Sequence, residues 1–136
     1  MRLEFWKAAV YIIQRNLWVG VGTGDVQRAF DKAYYRTNTK LSHEWRLRSH
    51  NQFLAITVAF GLTGLLVFLI SIIYPALALR KKLSGLYWLF LSIALISFLT
   101  EDTLETQSGV SFFAYFNTLF LWLANSGKKP EPDQNL

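Results

Sequence analysis

The sequence predicts an all-α integral membrane protein, with extracytoplasmic amphipathic helices followed by three transmembrane helices. Three observations predict it. Only 17% of the 136 residues are charged while 52% are hydrophobic, against about 25% charged in a soluble domain. Asp, Glu, Lys and Arg are absent between Arg48 and Arg80, and again between Lys82 and Glu101. Residues 3–35, by contrast, mix apolar and polar side chains at helical spacing.

The first element spans residues 3–17, where Leu3, Trp6, Val10, Ile13 and Leu17 recur at steps of three and four. Glu4, Lys7, Gln14 and Arg15 mark the opposite face of this amphipathic helix. It is not a signal peptide: residues 8–13 are too short an apolar core and no small-residue cleavage site follows. Gly20, Gly22 and Gly24 then break the helix, and Thr23 or Asp25 can cap the next. Residues 25–35 form a second short helix with Val26, Ala29, Phe30 and Ala33 on its apolar side. A polar stretch, residues 42–52, runs straight into residues 53–79, twenty-seven positions without a charge. As one helix they would reach about 40 Å, enough to cross roughly 30 Å of hydrocarbon with tilt. Gly61 and Gly64 permit close approach of another helix. Arg80, Lys81 and Lys82 end this span; residues 83–100 form a second, residues 101–108 an acidic turn, and residues 109–124 a third. Tyr74, Tyr87, Trp88 and Trp122 fall at one membrane face, as an aromatic belt does. The divisions are therefore 1–52 (extracytoplasmic helical loop), 53–124 (three-helix membrane region) and 125–136 (disordered cytoplasmic tail carrying Pro130 and Pro132).

Two basic clusters set the orientation: Arg80, Lys81 and Lys82 after the first span, with Lys128 and Lys129 in the tail, lie on one side and the acidic turn on the other. The positive-inside tendency puts the basic clusters in the cytoplasm. The N-terminal segment is then outside, although it holds nine of the fourteen basic residues; anion binding would give those residues a purpose.

Several function classes drop out. Without cysteine there is no disulfide, thiolate nucleophile or Cys-based metal site. The basic residues are distributed as membrane-flanking clusters, not as one nucleic-acid-binding face. The spans carry no ionisable side chain, which a proton relay or ion path needs. Gly20-x-Gly22-x-Gly24 is not a phosphate loop, because no strand precedes it and no Lys-Ser/Thr pair follows. His43 and His50 stand seven positions apart, about 10 Å along a helix, too far to share a metal, and no metal site is expected.

His50 lies where the polar segment meets the membrane, with Arg46 and Arg48 close by in sequence. Imidazole can accept a proton from a hydroxyl, and guanidinium groups suit phosphate through bidentate bonds. The alternative is an interfacial histidine beside two arginines that snorkel to headgroups. Glu101, Asp102 and Glu105 share the membrane face of His50, to orient a base, to pair with its arginines, or simply as a solvated turn.

Taken in order, several stretches resemble the C-terminal part of the bacterial O-antigen ligase and polymerase family. They are Arg2-Leu3-Glu4-Phe5-Trp6-Lys7-Ala8-Ala9, then Asn16-Leu17-Trp18-Val19-Gly20-Val21-Gly22-Thr23-Gly24-Asp25, in which Trp18 departs from the usual pattern. Arg48-Ser49-His50-Asn51-Gln52-Phe53-Leu54 follows, then Gly61-Leu62-Thr63-Gly64-Leu65-Leu66 and the turn from Thr100 to Val110. The resemblance covers about residues 2–123. It implies transfer of a glycan from an undecaprenyl-diphosphate donor to a hydroxyl acceptor such as lipid A-core, outside the bacterial cytoplasmic membrane, with no cofactor or metal. His50 would be the base or acceptor-positioning group, Arg2 would hold the diphosphate with Arg48 as a second candidate, and Asn51, Glu101 and Glu105 would support them. The implied partners are the lipid-linked donor, the glycolipid or glycan acceptor, the membrane and about nine or more further helices upstream; nucleic acid is not among them. The chain would be the C-terminal portion of a multi-pass inner-membrane enzyme, with residues 1–52 periplasmic, and inactive as an isolated piece. A repeat-unit polymerase and a small non-catalytic membrane subunit are the alternatives.

Overall fold

The computed structural model describes residues 2–39, 41, 42, 45 and 48–126, and every regular element among them is helical. The helices are α1 (Arg2–Arg15), α2 (Val26–Arg36), α3 (Gln52–Ala78), α4 (Gly85–Thr100) and α5 (Gln107–Ser126), with single 3-10 turns at Thr23–Asp25 and Thr103–Glu105. The expectations for His43, for Arg46 and for the tail beyond residue 126 lie outside the described residues.

α1 carries two apolar faces, and the structure buries the one the sequence pattern passes over. Phe5, Ala8, Ala9 and Ile12 are buried, while Leu3, Trp6, Val10 and Leu17 remain exposed. Side-chain size explains the choice: Ala8 and Ala9 let α2 approach closely, and Phe30, Ala33 and Tyr34 of α2 complete the shared core. Within α2 the expected stripe holds, with Val26, Phe30 and Ala33 buried and Ala29 partly so. Asp25 occupies the N-cap position without a side-chain capping bond.

α3 is broken. Gly61 takes φ 68° and ψ −167° inside an otherwise helical run. Phe53 and Phe68 are fifteen positions apart, about 22 Å on a straight helix, yet their ring centroids lie 6.1 Å from each other. The two legs, residues 52–60 and 62–78, therefore fold toward one another across Gly61. The first leg contributes Val58 and Ala59 to the α1–α2 core. The second packs on α4 through Ile72, Ala76, Tyr87, Leu91 and Phe98. By length and composition, Gln52–Ala78 is the one element among the described residues that is long and apolar enough to cross a membrane; α4 is shorter and apolar.

The break is filled by the glycine-rich turn after α1. A continuous helix would bond the Leu62 and Thr63 amides to the Val58 and Ala59 carbonyls. Here Val21 N donates to Val58 O at 2.9 Å and Gly22 N to Ala59 O at 2.8 Å. In return Leu62 N donates to Leu17 O at 2.8 Å, and Thr63 Oγ1 to Trp18 O at 2.8 Å. Both main chains touch, so neither side tolerates a Cβ: one on Gly61 would stand 2.3 Å from the Trp18 carbonyl, and one on Gly20 2.5 Å from the Ala59 carbonyl. Gly61 thus allows close approach, as expected, but of a loop and through positive φ.

α4 and α5 are joined by aromatic packing. Phe90 lies 5.6 to 6.2 Å from the rings of Phe112, Phe113, Phe116 and Phe120. Tyr87 is buried and its hydroxyl donates to Asn117 Oδ1 at 3.3 Å. It belongs to the core rather than to an outer belt, whereas Tyr74, Trp88 and Trp122 do face outward.

Candidate active site

Residues 48–52 form a polar clamp that ties α3 to the turn between α4 and α5. Asn51 caps α3: its backbone is extended and its Oδ1 accepts from Leu54 N at 3.0 Å. Its Nδ2 donates to the Leu99 carbonyl at 2.9 Å, satisfying an orphan acceptor at the end of α4. Gln52, buried, accepts from Leu104 N at 2.6 Å. Ser49 is fully buried, and its carbonyl accepts from the Trp6 indole at 3.1 Å. Four consecutive residues, Ser49 to Gln52, therefore fix α1, α3 and the acidic turn in one register.

His50 sits within this clamp at φ 46°, a left-handed backbone that histidine adopts more readily than most residues. Its Nδ1 lies 3.1 Å from Glu101 Oε2 and 3.8 Å from Asp102 Oδ1. The Phe5 ring flanks it at 5.9 Å. The side chain stays one-third exposed, open to an incoming molecule. The tautomer that donates Nδ1–H to the carboxylate would leave the Nε2 lone pair free, which is the arrangement a general base uses.

Arg2 reaches the same carboxylate from the start of α1: its Nη2 is 3.4 Å from Glu101 Oε1. Glu101 thus serves Arg2 with one oxygen and His50 with the other. Arg48 pairs with Glu105 at 2.7 Å. The structure places all six candidates, Arg2, Arg48, His50, Asn51, Glu101 and Glu105, around one clamp. Arg2, His50 and Glu101 form its inner group; Arg48 and Glu105 form a second pair beside it. Sequence reasoning passes over Ser49, Gln52 and Trp6, whose roles are backbone bonds invisible to composition, and names Asp102 only as one of three acidic residues on the face of His50.

The clamp also revises one exclusion. Spacing along the chain argues against a metal site, but in space His50, Glu101 and Asp102 present ligand atoms all within 4.8 Å of one another. Such a trio could hold a cation; Glu101 is at the same time engaged by Arg2.

Three amides of the glycine-rich turn are already committed. Gly20 N donates to Asn16 O, and Val21 N and Gly22 N are spent on α3.

A family model described as O-antigen ligase matches residues 1–69. That stretch takes in α1, the glycine-rich turn, α2, His50 and the bend at Gly61. The acidic turn that completes the clamp lies beyond it. No curated protein matches the chain.

Proposed function

The chain belongs to the O-antigen ligase family, and on that premise we propose that it carries the catalytic loop of a membrane glycosyltransferase. The enzyme would ligate an undecaprenyl-diphosphate-linked glycan to a hydroxyl acceptor such as lipid A-core. The observation that carries this reading is the Arg2–Glu101–His50 arrangement: a base and a phosphate-binding cation meet on one carboxylate.

The chemistry follows from that geometry. The acceptor oxygen forms a bond to the anomeric carbon of the donor sugar while the bond from that carbon to the diphosphate breaks. His50 Nε2 takes the hydroxyl proton, Glu101 steadies the ring through Nδ1, and undecaprenyl diphosphate leaves with the bonding electrons. Arg2, and Arg48 less directly, neutralise the charge that develops on it. No metal or cofactor is required in this scheme.

A membrane setting supports it. The second leg of α3, residues 62–78, measures about 25 Å, α4 about 24 Å and α5 about 30 Å, close to the roughly 30 Å of bilayer hydrocarbon. We read these as the three spans, with the clamp and residues 1–52 on the periplasmic side of the cytoplasmic membrane. Leu66, Val67, Ile70, Leu89 and Ile93 are exposed apolar residues of these helices, suited to lipid or to further helices that would enclose the donor.

His50→Gln at the native locus tests the assignment. Transfer should fall by about 10² to 10⁴, with lipid-linked donor accumulating and the protein still present in the membrane at its normal level. Undiminished transfer would remove His50 from the mechanism. Analysis of the wild-type product separates ligation, which caps an acceptor once, from polymerisation, which lengthens the lipid-linked chain.

A further inference from the structure

We propose that the α1–α2 hairpin binds anionic lipid headgroups, with Trp18 seated in the membrane interface and Arg15, Arg28 and Lys32 receiving the phosphates. This rests on the three-span reading above. The hairpin tip is placed by its bonds to α3: Leu17 and Trp18 accept from Leu62 and Thr63, the first residues of the second leg. The tip therefore stands where that span enters the bilayer. Trp18 and Val19 are 67% and 76% exposed there, and interfacial tryptophan is the side chain that such a position selects.

Directly behind the tip, a cavity of about 480 Å³ opens between α1 and α2, with Arg15, Arg28 and Lys32 in its wall. Asp25 also lines it and pairs with Arg28 at 3.5 Å. Among the described residues, Arg15 and Lys32 have no carboxylate partner, so the groove keeps an excess of positive charge. Arg15 lies over the Tyr11 ring at 4.5 Å, which orients its guanidinium. The loop amides of Gly20, Val21 and Gly22 are committed elsewhere, so side chains must do the binding.

An apolar tip flush with a cationic groove complements a molecule that joins acyl chains to a phosphate, which a dissolved anion does not. The arrangement also accounts for basic residues on the face of the protein where the positive-inside tendency would leave them out.

Tryptophan quenching by lipids brominated in the acyl chains tests this on the full chain in nanodiscs. The Trp18→Phe variant isolates the Trp18 signal by difference. Brominated phosphatidylglycerol should quench Trp18 in preference to brominated phosphatidylcholine. That preference should fall roughly fivefold for each cation replaced in Arg15→Gln, Lys32→Gln and the triple variant with Arg28→Gln. The single variants serve if the triple one loses helicity. Equal quenching by the two lipids, or a preference untouched by the substitutions, overturns the proposal. So does erasure of the preference by millimolar inorganic phosphate but not by chloride of matched ionic strength, since the site would then take phosphate from solution. Quenching of Trp88 and Trp122 without Trp18 sinks this proposal and leaves the three-span reading intact; quenching of no tryptophan sinks both.

Discussion

Residues 48–52 and residues 17–22 dock on the same broken helix, the first with side chains and the second with main chain. At the clamp, Asn51 reaches the end of α4, and Gln52 and His50 each reach a different group on the turn that follows it. At the bend, hydrogen bonds pass between peptide units, helped by one threonine hydroxyl. Main-chain docking depends on what is missing, a Cβ at Gly20 and at Gly61, and is blind to most other chemistry. Side-chain docking depends on functional groups, and only that kind of docking can present a base. Of the two motifs, the glycine-rich one thus shapes the scaffold, and the one around His50 carries the functional groups.

The largest expected effect comes from breaking the main-chain dock. Gly61→Ala must hold a left-handed backbone and place its Cβ 2.3 Å from the Trp18 carbonyl. If the bend relaxes, two amides and two carbonyls lose their partners. Each of these groups costs up to about 1–3 kcal/mol where it is shielded from water and the left-handed backbone a further 1–2, so the loss should reach about 3 kcal/mol. Thermal unfolding followed by helical signal should drop sharply, and activity should vanish with the fold. Gly20→Ala should behave alike, since it clashes from the other side; a wild-type midpoint for either variant would refute the exchange of bonds.

Asn51→Ala comes next. It removes the cap of α3 and leaves the Leu99 carbonyl unpaired, a cost of about 1–2 kcal/mol. Stability and transfer should fall together, because the clamp loosens as a whole.

How much of this is legible from residues alone depends on what kind of interaction each part uses. Hydropathy delimits α4 and α5 and the far end of α3, because burial in apolar surroundings is a property of composition. It misses the bend, because a glycine within an apolar run reads the same whether the helix continues or folds back. It also selects the wrong face of α1: Leu3, Trp6 and Val10 outweigh Ala8 and Ala9 in any hydrophobic count, yet small residues win when two helices must approach. The polar groups around His50 are visible as residue types. Their convergence across about fifty positions, from His50 to Glu101, is a tertiary fact to which only the order of the motifs points.

Glu101→Gln separates chemistry from scaffold at the clamp itself. Both Glu101 and Arg2 are more than half exposed in this pair, so stability should hardly change. The amide can still accept from Nδ1–H but no longer balances charge developing on the imidazole, and kcat should fall roughly tenfold. The donor KM should not rise, because Arg2 loses a competing carboxylate. A rise in KM with kcat intact would instead mean that Glu101 only positions the donor.

Glu4→Gln gives the smallest effect and marks where side-chain docking ceases to matter. Glu4 accepts from Lys7 at 2.8 Å and from Thr39 at 3.4 Å, fastening α1 to the loop beyond α2. The Lys7 hydrogen bond, with Thr39 adding to it, holds the carboxyl below its ordinary value of 4.5. A depressed carboxyl contributes stability that is complete above its unfolded value and is lost as pH falls through the lower, folded one. The wild type should therefore lose a small increment of stability only in acid, below about pH 4.5, and the variant should lack that increment throughout. Glu4 is partly exposed and its pair with Lys7 is screened by water, so at neutral pH the two proteins should unfold almost together. A large gap at pH 7 would mean that the contact with Thr39 helps to hold the loop over α1, and that side-chain docking extends well beyond the clamp.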